Sequence, residues 1–289
     1  KETEKRIKEH ATGNPREIID YCSLEAPMVE HLETTMHYLF ADCWITGEWF
    51  RMEKDRLEES VEMAKKLIGQ QEKIVDTIRE SQELGEQVSD GTKTPSEDDE
   101  DLINQLLQKR GEEVVLKAKL AIVDNQLRSL MNTSAGIEGI ADLRISEGSE
   151  KFSASALKKA DPELYDQYCF TTEGKVGGSF LLKNLPKLKD LDPELNEQVT
   201  DSKFTKPSFA EMTNTPLART EALTKLHDEF ISLQPERVIL AWDIEQLEAQ
   251  VKCSIGSNEF LGELVQWTRK VKTTVSFDKD RFLHDHPEL

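Results

Sequence analysis

The first regular hydrophobic spacing in the chain lies between residues 26 and 47. Apolar side chains recur there three, four and seven positions apart, which is typical of an amphipathic helix. These positions are Met28, Leu32, Met36, Leu39, Phe40 and Cys43. Five aromatic residues overlap or follow them: Tyr38, Phe40, Trp44, Trp49 and Phe50. Their spacing favours a helical core or a face for a partner helix over a ligand-stacking surface.

Two longer segments have the heptad spacing of a coiled coil. In residues 49–84 the repeating positions are Leu57, Val61, Ala64, Ile68, Gln71, Val75, Ile78 and Gln82. In the later segment they are Leu102, Leu106, Leu116, Leu120, Val123, Leu127 and Leu130. We therefore expect a long antiparallel, coiled-coil-like helical hairpin over residues 49–131. A second apolar stripe on the later helix, which includes Ile103 and Ala118, needs either the 26–47 helix or another subunit to cover it.

The segment between the two long helices, residues 85–101, is rich in Gly, Ser, Thr and acidic residues. This composition buries too little apolar surface to order itself, so it predicts a disordered loop at the tip of the hairpin. The loop ends in the acidic run Asp98, Asp99, Glu100 and Asp101. Such a run is either a solvated charge cluster or a contact for a partner.

A short unit occurs three times in the second half, as Asp or His followed by Pro-Glu-Leu. The copies begin at Asp161, Asp192 and His286. Each predicts the start of a helix, because Asp caps free backbone amides and Pro is tolerated at the first helical position.

The first and third of these copies belong to longer segments, Phe152–Leu164 and Phe277–Leu289, that align without a gap. Each follows a long helical pattern, which predicts a duplicated helical unit with copies at about 116–168 and 240–289. The first copy continues past its Leu and the second does not. Since Lys1 is also not an initiator Met, we expect the chain to be a piece of a longer protein.

The predicted fold class is mainly α, a helical hairpin plus a duplicated helical unit with short strands or irregular segments. We expect an N-terminal helical segment at 1–48, the hairpin at 49–131 and the duplicated region at 132–289. Short strands are expected at Lys175–Leu182 and Thr273–Phe277. Irregular segments are expected around 170–186 and 199–217.

Composition narrows the class of protein further. The chain has 37 Lys plus Arg against 56 Asp plus Glu, a net charge of −19, which disfavours direct binding of nucleic acid by the whole surface. No apolar run approaches the roughly 20 residues of a membrane span, and the first residues lack the apolar stretch of a signal peptide. The four Cys form no C-x-x-C pair, and His284 and His286, which flank Asp285, lack further metal ligands. We expect a cytoplasmic protein without membrane contact, metal or cofactor.

The string VQWTRKVKTTVSFDKDRFLHDHPEL at 265–289 follows IEQLEAQVKCSIG at 244–256. Together these 45 or so residues resemble the C-terminal helical tail of phage-type exonucleases of the YqaJ-like viral recombinase family. Such tails have a Leu-Glu helix with a Gly, a Trp-Lys pair, a Phe-Asp pair and Asp-His-Pro-Asp/Glu-Leu. Here Trp267 is followed by Thr268 and Arg269 rather than by Lys, and the spacer to Phe277 is longer. The resemblance implies a phage or prophage origin in a bacterial host and an association with DNA recombination or repair, without the nuclease core.

A restriction-like nuclease requires an Asp and a nearby Asp/Glu-x-Lys, because two carboxylates hold Mg²⁺ and the Lys positions water. The nearest candidates are Glu173 and Lys175, with Asp166 or Asp161 upstream. Glu173 lies in a predicted turn and Asp161 in a predicted helix cap, whereas the carboxylates of that fold lie on adjacent strands. We therefore assign no catalytic residue and expect no enzymatic activity.

The leading hypothesis is a non-enzymatic phage or prophage-type protein that binds a protein partner in DNA recombination, repair or inhibition of host defence. One alternative is an acidic DNA mimic that inhibits a DNA-binding enzyme, and another is a divergent Mg²⁺-dependent nuclease. Unburied seam positions also favour a homo-oligomer. The predicted partner contacts are Trp44, Trp49, Phe50, Asp98, Asp99, Glu100, Asp101, Trp267 and Phe277.

Overall fold

The computed structural model describes residues 23–46, 49–144, 152–172 and 174–286. The protein is mainly helical with a few small sheets, as predicted. The chain divides into two compact units, unit 1 at Lys1–Asp76 and unit 2 at Thr77–Leu289. The division falls inside one long helix.

The regular elements of the described residues are α-helices and short strands. The helices are α1 (Val29–Leu39), α2 (Lys54–Gly85), α3 (Glu97–Met131), α4 (Ala154–Ala160), α5 (Pro162–Gln167), α6 (Leu188–Leu191), α7 (Pro193–Asp201), α8 (Glu221–Ser232), α9 (Gln234–Ile255) and α10 (Lys279–Asp285). The strands are β1 (Trp44–Thr46), β2 (Trp49–Phe50), β3 (Thr92–Lys93), β4 (Gly136–Ile137), β5 (Ala141–Asp142), β6 (Cys169–Thr172), β7 (Val176–Leu182), β8 (Phe260–Leu261), β9 (Val265–Val271) and β10 (Thr274–Phe277).

In unit 1 the first helix is shorter than the predicted 26–47 segment. After α1 the chain forms a 3-10 turn and then the β1–β2 hairpin, in which Trp44 pairs with Phe50. Trp, Ile and Phe have high strand propensity, which explains why the helix does not continue through them. Trp49 therefore lies in a strand, and α2 begins only at Lys54. Residues 1–22, 47 and 48 of the predicted N-terminal segment lie outside the described residues.

The buried face of α2 keeps the heptad spacing, but its phase differs from the prediction. The buried positions are Ser60, Ala64, Leu67, Gln71, Ile74, Ile78 and Ser81. Leu57, which the sequence places in the seam, is 54% exposed. Polar residues occupy the stripe because Ser60 and Ser81 donate their hydroxyls to carbonyls three residues earlier, at 2.7 and 2.8 Å. Hydrophobicity alone does not detect such positions.

Gln71 shows why a buried polar residue belongs in this stripe. Its side-chain amide donates to the carbonyl of Met28 at 3.2 Å, and its carbonyl accepts from the Met28 amide at 3.3 Å. The amide nitrogen also lies 3.0 Å from Nδ1 of His31. Gln71 thus holds the beginning of α1 against α2, and burial lowers the pKa of His31.

The prediction of a disordered loop over 85–101 is wrong at its acidic end. α3 begins at Glu97, with Ser96 as its N-cap and a capping box between Ser96 and Asp99. Carboxylates at the start of a helix are stabilised by the helix dipole and by free backbone amides. The composition of the acidic run suggests disorder. Its position directly after an N-cap residue, however, favours the start of a helix.

Unit 2 is built around α3 and α9, which pack along each other. The two helices are antiparallel, since Asp99 contacts Ser254 and Arg110 contacts Glu248. The main buried cluster is Ile103, Leu106, Leu116, Leu182, Leu240, Ile244, Val251, Ile255, Leu261, Val265 and Trp267. The apolar face of α3 is thus covered by α9, and the predicted coiled-coil hairpin of residues 49–131 stays a prediction.

Small sheets complete the described part of unit 2. The largest has the strand order β3-β8-β9-β7, in which β7 pairs antiparallel with β9 along its full length. β10 pairs antiparallel with β6, and β4 with β5. The sequence predicts strands at 175–182 and 273–277, and β7 and β10 confirm them.

In unit 2, a residue that precedes one long helical segment pairs in parallel with a residue that follows the other. Lys93, which precedes α3, pairs with Leu261, which follows α9. Leu217, which precedes α8, pairs in parallel with Ile137, which follows α3. Lys93 and Leu217 lie 124 positions apart in the chain, and so do Ile137 and Leu261.

The helices between these pairings begin and end at the same spacing. Ser96 caps α3 by accepting from the third amide of the helix, and Thr220 caps α8 in the same way. α3 ends before Asn132 and α9 before Gly256, both with positive φ. The hairpins that follow also have the same pairing register, 124 positions apart. The two stretches therefore share one order of cap, helical segment and hairpin.

Two of the three predicted Pro-Glu-Leu helix starts are confirmed. Asp161 and Asp192 each accept from a backbone amide three residues later, at 2.9 Å. The third stays a prediction: His286 is the C-cap of α10, as Asp161 and Asp192 are C-caps of the helices before theirs. The residues after His286 lie outside the described part of the chain.

Candidate functional site

An apolar pocket of about 480 Å³ opens on unit 1, where α1, β2 and the first turns of α2 meet. We call it the aromatic pocket. Its lining residues are Met36, His37, Phe40, Trp49, Phe50, Met52, Leu57 and Ser60. The sequence singles out Trp49 and Phe50 as partner contacts and misses Met52 and Leu57. Met52 and Leu57 lie just before and just after the start of α2 at Lys54. Their position at a helix start could have marked them, but the sequence predicts one helix that runs through this point.

Large apolar side chains are exposed at the pocket and on the adjacent hairpin. Trp44 is 55% exposed, Ile45 50%, Trp49 46% and Leu57 54%. Single exposed apolar residues are ordinary, but several large ones on one short hairpin and at the pocket beside it favour a contact surface. Tryptophan and methionine are also enriched at the centres of protein interfaces.

The walls of the aromatic pocket are held by polar contacts. The Arg56 guanidinium lies 4.5 Å from the ring centroid of Phe40 and forms ion pairs with Glu59 at 2.6 Å and Asp42 at 3.1 Å. The hydrogen bond to Glu59 is the main reason why the pKa of Arg56 is raised. His37 packs edge-to-face on Phe50, with centroids 5.0 Å apart. The aromatic residues of the pocket are thus pre-oriented.

The four residues of the predicted acidic contact differ in their exposure to solvent. Asp98, Glu100 and Asp101 are exposed near the start of α3, whereas Asp99 is buried. Asp99 therefore does not offer its carboxylate to solvent at this surface. The reason is positional, because the third residue of a capped helix turns back onto the N-cap.

Asp99 is the centre of a buried polar network. Its carboxylate accepts from the Ser96 amide at 2.9 Å and from the Ser254 hydroxyl, and it pairs with Lys93 at 3.1 Å. Lys93 also donates to the Ser254 carbonyl at 2.9 Å. Burial alone would raise the pKa of Asp99, but the hydrogen bonds from Ser254 and Ser96 outweigh it and hold the pKa well below its ordinary value. The network joins the start of α3 to the last turn of α9.

The sequence also predicts Trp267 as a partner contact. Trp267 is only 5% exposed and belongs to the main buried cluster. The next-but-one residue, Arg269, is fully buried and donates to the carbonyls of Gly256 at 2.6 Å, Asn258 at 3.0 Å and Leu84. Burial lowers the pKa of the Arg269 guanidinium. These residues hold the sheet against two helix ends.

Phe277 is half-buried in an aromatic cluster and is not a free contact surface. It stacks on Phe152 and Tyr165, with centroids 5.6 and 4.9 Å away. The nearby Tyr168 hydroxyl donates to Asp285 at 3.0 Å and lies 3.3 Å from Nε2 of His286. The Asp-His pair that resembles a set of metal ligands in the sequence therefore anchors α10 to the end of α5.

The nuclease candidates do not form a described site. Glu173 lies outside the described residues. Asp166 is exposed on α5, and Lys175 lies in the short link before β7. Among the described residues, three or more His, Cys, Asp or Glu side chains nowhere converge as a metal site would require.

Comparison with protein-family models, with curated proteins and with solved structures found no match. Within the described ranges, the helices are all too short or too polar to cross a bilayer. The aromatic pocket is consequently the strongest candidate site on geometric grounds alone.

Proposed function

We propose that the protein acts by binding a protein partner through the aromatic pocket and the exposed residues beside it. The observation that carries this proposal is the pair of tryptophans, Trp44 and Trp49, each about half exposed next to a preformed apolar pocket. Burying the exposed half of each side chain removes roughly 100 Å² of largely apolar surface from water, and buried tryptophans are among the residues that contribute most to binding. The partner supplies an apolar segment that fills the pocket.

The net charge of the chain and its sequence resemblance indicate what kind of partner it binds. A net charge of −19 favours a partner with basic residues around its apolar segment, because opposite charges accelerate and orient association. The resemblance of residues 244–289 to the tail of YqaJ-like recombinase-family exonucleases supports a partner in phage DNA recombination or repair, or in host defence. The proposed setting is the cytoplasm of a bacterial host.

We also propose that unit 2 contains a duplicated helical unit, with its copies shifted by 124 positions. The equal spacing of caps, helix ends and crossed strand pairings supports this proposal. In such an arrangement each copy supplies the strand that the hairpin of the other copy requires. This resembles a homodimer joined into one chain.

The structure gives less support to the two alternatives, a DNA mimic and a nuclease. Several carboxylates of unit 1 are paired with cations, for example Glu58 with Lys54 and Glu62 with Lys65, as in ordinary surface pairing. A mimic would instead need unpaired charges at the spacing of phosphates. For the nuclease, no three or more His, Cys, Asp or Glu side chains converge among the described residues, and Asp166 is exposed on α5.

The partner proposal is tested with the full chain and purified candidate proteins: a phage recombinase, a single-strand-binding protein and host nucleases. Co-elution with at least one is expected, together with at least a tenfold loss of affinity in Trp49→Ala. Phe170→Ala is the matched control, because Phe170 is an aromatic residue 47% exposed on β6. Absence of any complex, or a complex indifferent to Trp49, contradicts the proposal.

A second copy of the chain is the competing occupant of the pocket. Analytical ultracentrifugation of the chain alone distinguishes it from a different partner. A mass that doubles with concentration and returns to that of one chain in Trp49→Ala would assign the pocket to a homo-oligomer instead.

A further inference from the structure

The strand β7 lies at the edge of the largest sheet and is paired on one side. In the strand order β3-β8-β9-β7 it is a terminal strand, and β9 is its only neighbour among the described strands. Natural proteins usually protect such an edge with a charged residue, a proline or a bulge. The β7 sequence, Val-Gly-Gly-Ser-Phe-Leu-Leu, has no charge and no proline, and its register with β9 is regular.

The pairing with β9 shows which backbone groups of β7 point outward. In an antiparallel pair, the amide and carbonyl of one residue point to the same side, and successive residues alternate. The Lys183 amide donates to the Leu264 carbonyl at 2.9 Å, so Lys183 faces β9. The residues that point away from β9 are therefore Val176, Gly178, Phe180 and Leu182. Among the residues that the structure describes, none bonds to this outward side of their backbone.

Most of this outward edge is open to solvent. Gly178, Ser179 and Leu181 are exposed, whereas Leu182 is buried, so the available edge is residues 176–181. Gly178 leaves its backbone uncovered because it has no side chain. An extended peptide can add to such an edge, since its own amides and carbonyls then pair with the free ones.

Lysines lie at both ends of this edge. The stretch 174–189 has four lysines and no acidic residue, in a chain with a net charge of −19. Lys175 directly precedes β7 and Lys183 directly follows it, and both are exposed. A methyl group on Gly177 would lie 3.1 Å from Cδ of Lys272, so a third lysine lies along the strand. The edge thus has positive charge at each end and an uncharged centre.

The lysines disfavour a second copy of the chain as the occupant of the edge. Two β7 strands paired antiparallel around Ser179 would place Lys175 of each copy opposite Lys183 of the other. Like charges directly opposite each other destabilise an antiparallel pair. Two chains that each have a net charge of −19 also repel one another. Carboxylates at the ends of an added strand would instead be attracted by the two lysines.

We propose that β7 binds an extended segment of a partner protein by strand addition, with acidic residues of that segment beside Lys175 and Lys183. These lysines are eight positions apart, about 26 Å along an extended strand, so the carboxylates of the partner have a similar separation. Apolar side chains between the carboxylates lie beside Leu181, which is 51% exposed. This surface belongs to unit 2 and is a different site from the aromatic pocket.

The test uses the full chain and the fluorescent peptide Glu-Thr-Val-Thr-Val-Thr-Val-Thr-Glu, whose glutamates are eight positions apart. Fluorescence anisotropy is expected to show saturable binding. N-methylation of alternate amides blocks strand addition only where those amides face β7. Methylation of the three valines or of three threonines, but not of both sets alike, is therefore expected to weaken binding at least tenfold. The other set should change the affinity less than twofold.

A double variant tests the role of the lysines. Lys175→Glu with Lys183→Glu is expected to weaken binding of the peptide at least tenfold and to strengthen binding of a peptide with lysines at both ends. Lys203→Glu with Lys206→Glu is the matched control, because it reverses two exposed lysines outside β7 with the same change in net charge. It should change the affinity less than twofold. Unchanged circular dichroism and thermal midpoint verify that both double variants fold.

Several results would overturn the proposal. These are absence of peptide binding, equal effects of the two methylated sets, and equal weakening by the two double variants. A dimer in analytical ultracentrifugation that the peptide dissociates would assign the edge to a second copy. Binding of a single-stranded oligonucleotide but not of the peptide, abolished by Lys175→Glu with Lys183→Glu, would assign the lysines to nucleic acid instead.

Discussion

The guanidinium of Arg269 lies over the indole of Trp267, with Cζ 3.9 Å from the ring centroid, and both side chains are buried. The same guanidinium donates to Leu84 in the last turn of α2 and to Gly256 at the end of α9. Carbonyls at helix C-termini lack partners within the helix and carry partial negative charge. A single buried cation therefore joins one strand to the ends of two helices.

Replacement of Arg269 by Met is expected to lower the free energy of unfolding by about 3–5 kcal/mol, because three backbone carbonyls lose their buried donor. Arg269→Lys retains the charge but cannot reach all three carbonyls, so an intermediate loss is expected. Urea denaturation measures both. Arg144→Met, at a side chain 88% exposed, is the control and should change stability by less than about 0.5 kcal/mol. Equal stability of the Arg269 and Arg144 variants would rule out this role.

Asp99→Asn is expected to destabilise the protein by about 2 kcal/mol at pH 7, through loss of the capping box and of charged hydrogen bonds. The pKa of Asp99 is lowered in the folded state, so its contribution is complete above about pH 4. It is lost as the pH falls from there toward the folded-state pKa. The difference between the two proteins should therefore shrink on acidification, as measured by urea denaturation from pH 7 to pH 2. A constant difference would contradict the assignment.

Alanine substitutions at three glycines test two different effects, helix propensity and the need for an unusual backbone conformation. A methyl group on Gly69 would meet open space, and one on Gly111 would lie 3.5 Å from Pro186, so alanine fits at both positions. Gly69→Ala and Gly111→Ala are each expected to raise stability by up to about 1 kcal/mol. Gly136 has φ +141°, and a Cβ would lie 2.1 Å from the Ala141 carbonyl oxygen. Gly136→Ala should therefore lower the thermal midpoint while the other two raise it, and a uniform response of the three variants would contradict this.

Local rules of sequence predicted much of the secondary structure. The caps at Asp161 and Asp192 and the strands β7 and β10 follow from short patterns whose physical cause is local. The heptad spacing of α2 was also visible, but its phase was not. The buried stripe departs from the predicted one at Ser60, Leu67, Ile74 and Ser81, and the two serines are polar, so hydrophobicity did not mark them.

The candidate sites depended more strongly on tertiary structure. Trp44 and Trp267 are the same kind of residue, and both lie in strands, yet one is 55% exposed and the other 5%. No local pattern separates them, because burial is decided by which elements pack on the strand. Asp99 differs within its acidic run, because its burial follows both from the local capping box with Ser96 and from the distant Ser254.

From the amino-acid order alone came the mainly helical class and the helix caps, because these arise from contacts within a few residues. Only the folded chain decided that α9 packs along α3, that Lys93 pairs with Leu261 and Leu217 with Ile137, and which aromatic residues face solvent. Those outcomes depend on contacts between residues far apart in the chain, and their energies are sums over many side chains that no short pattern encodes.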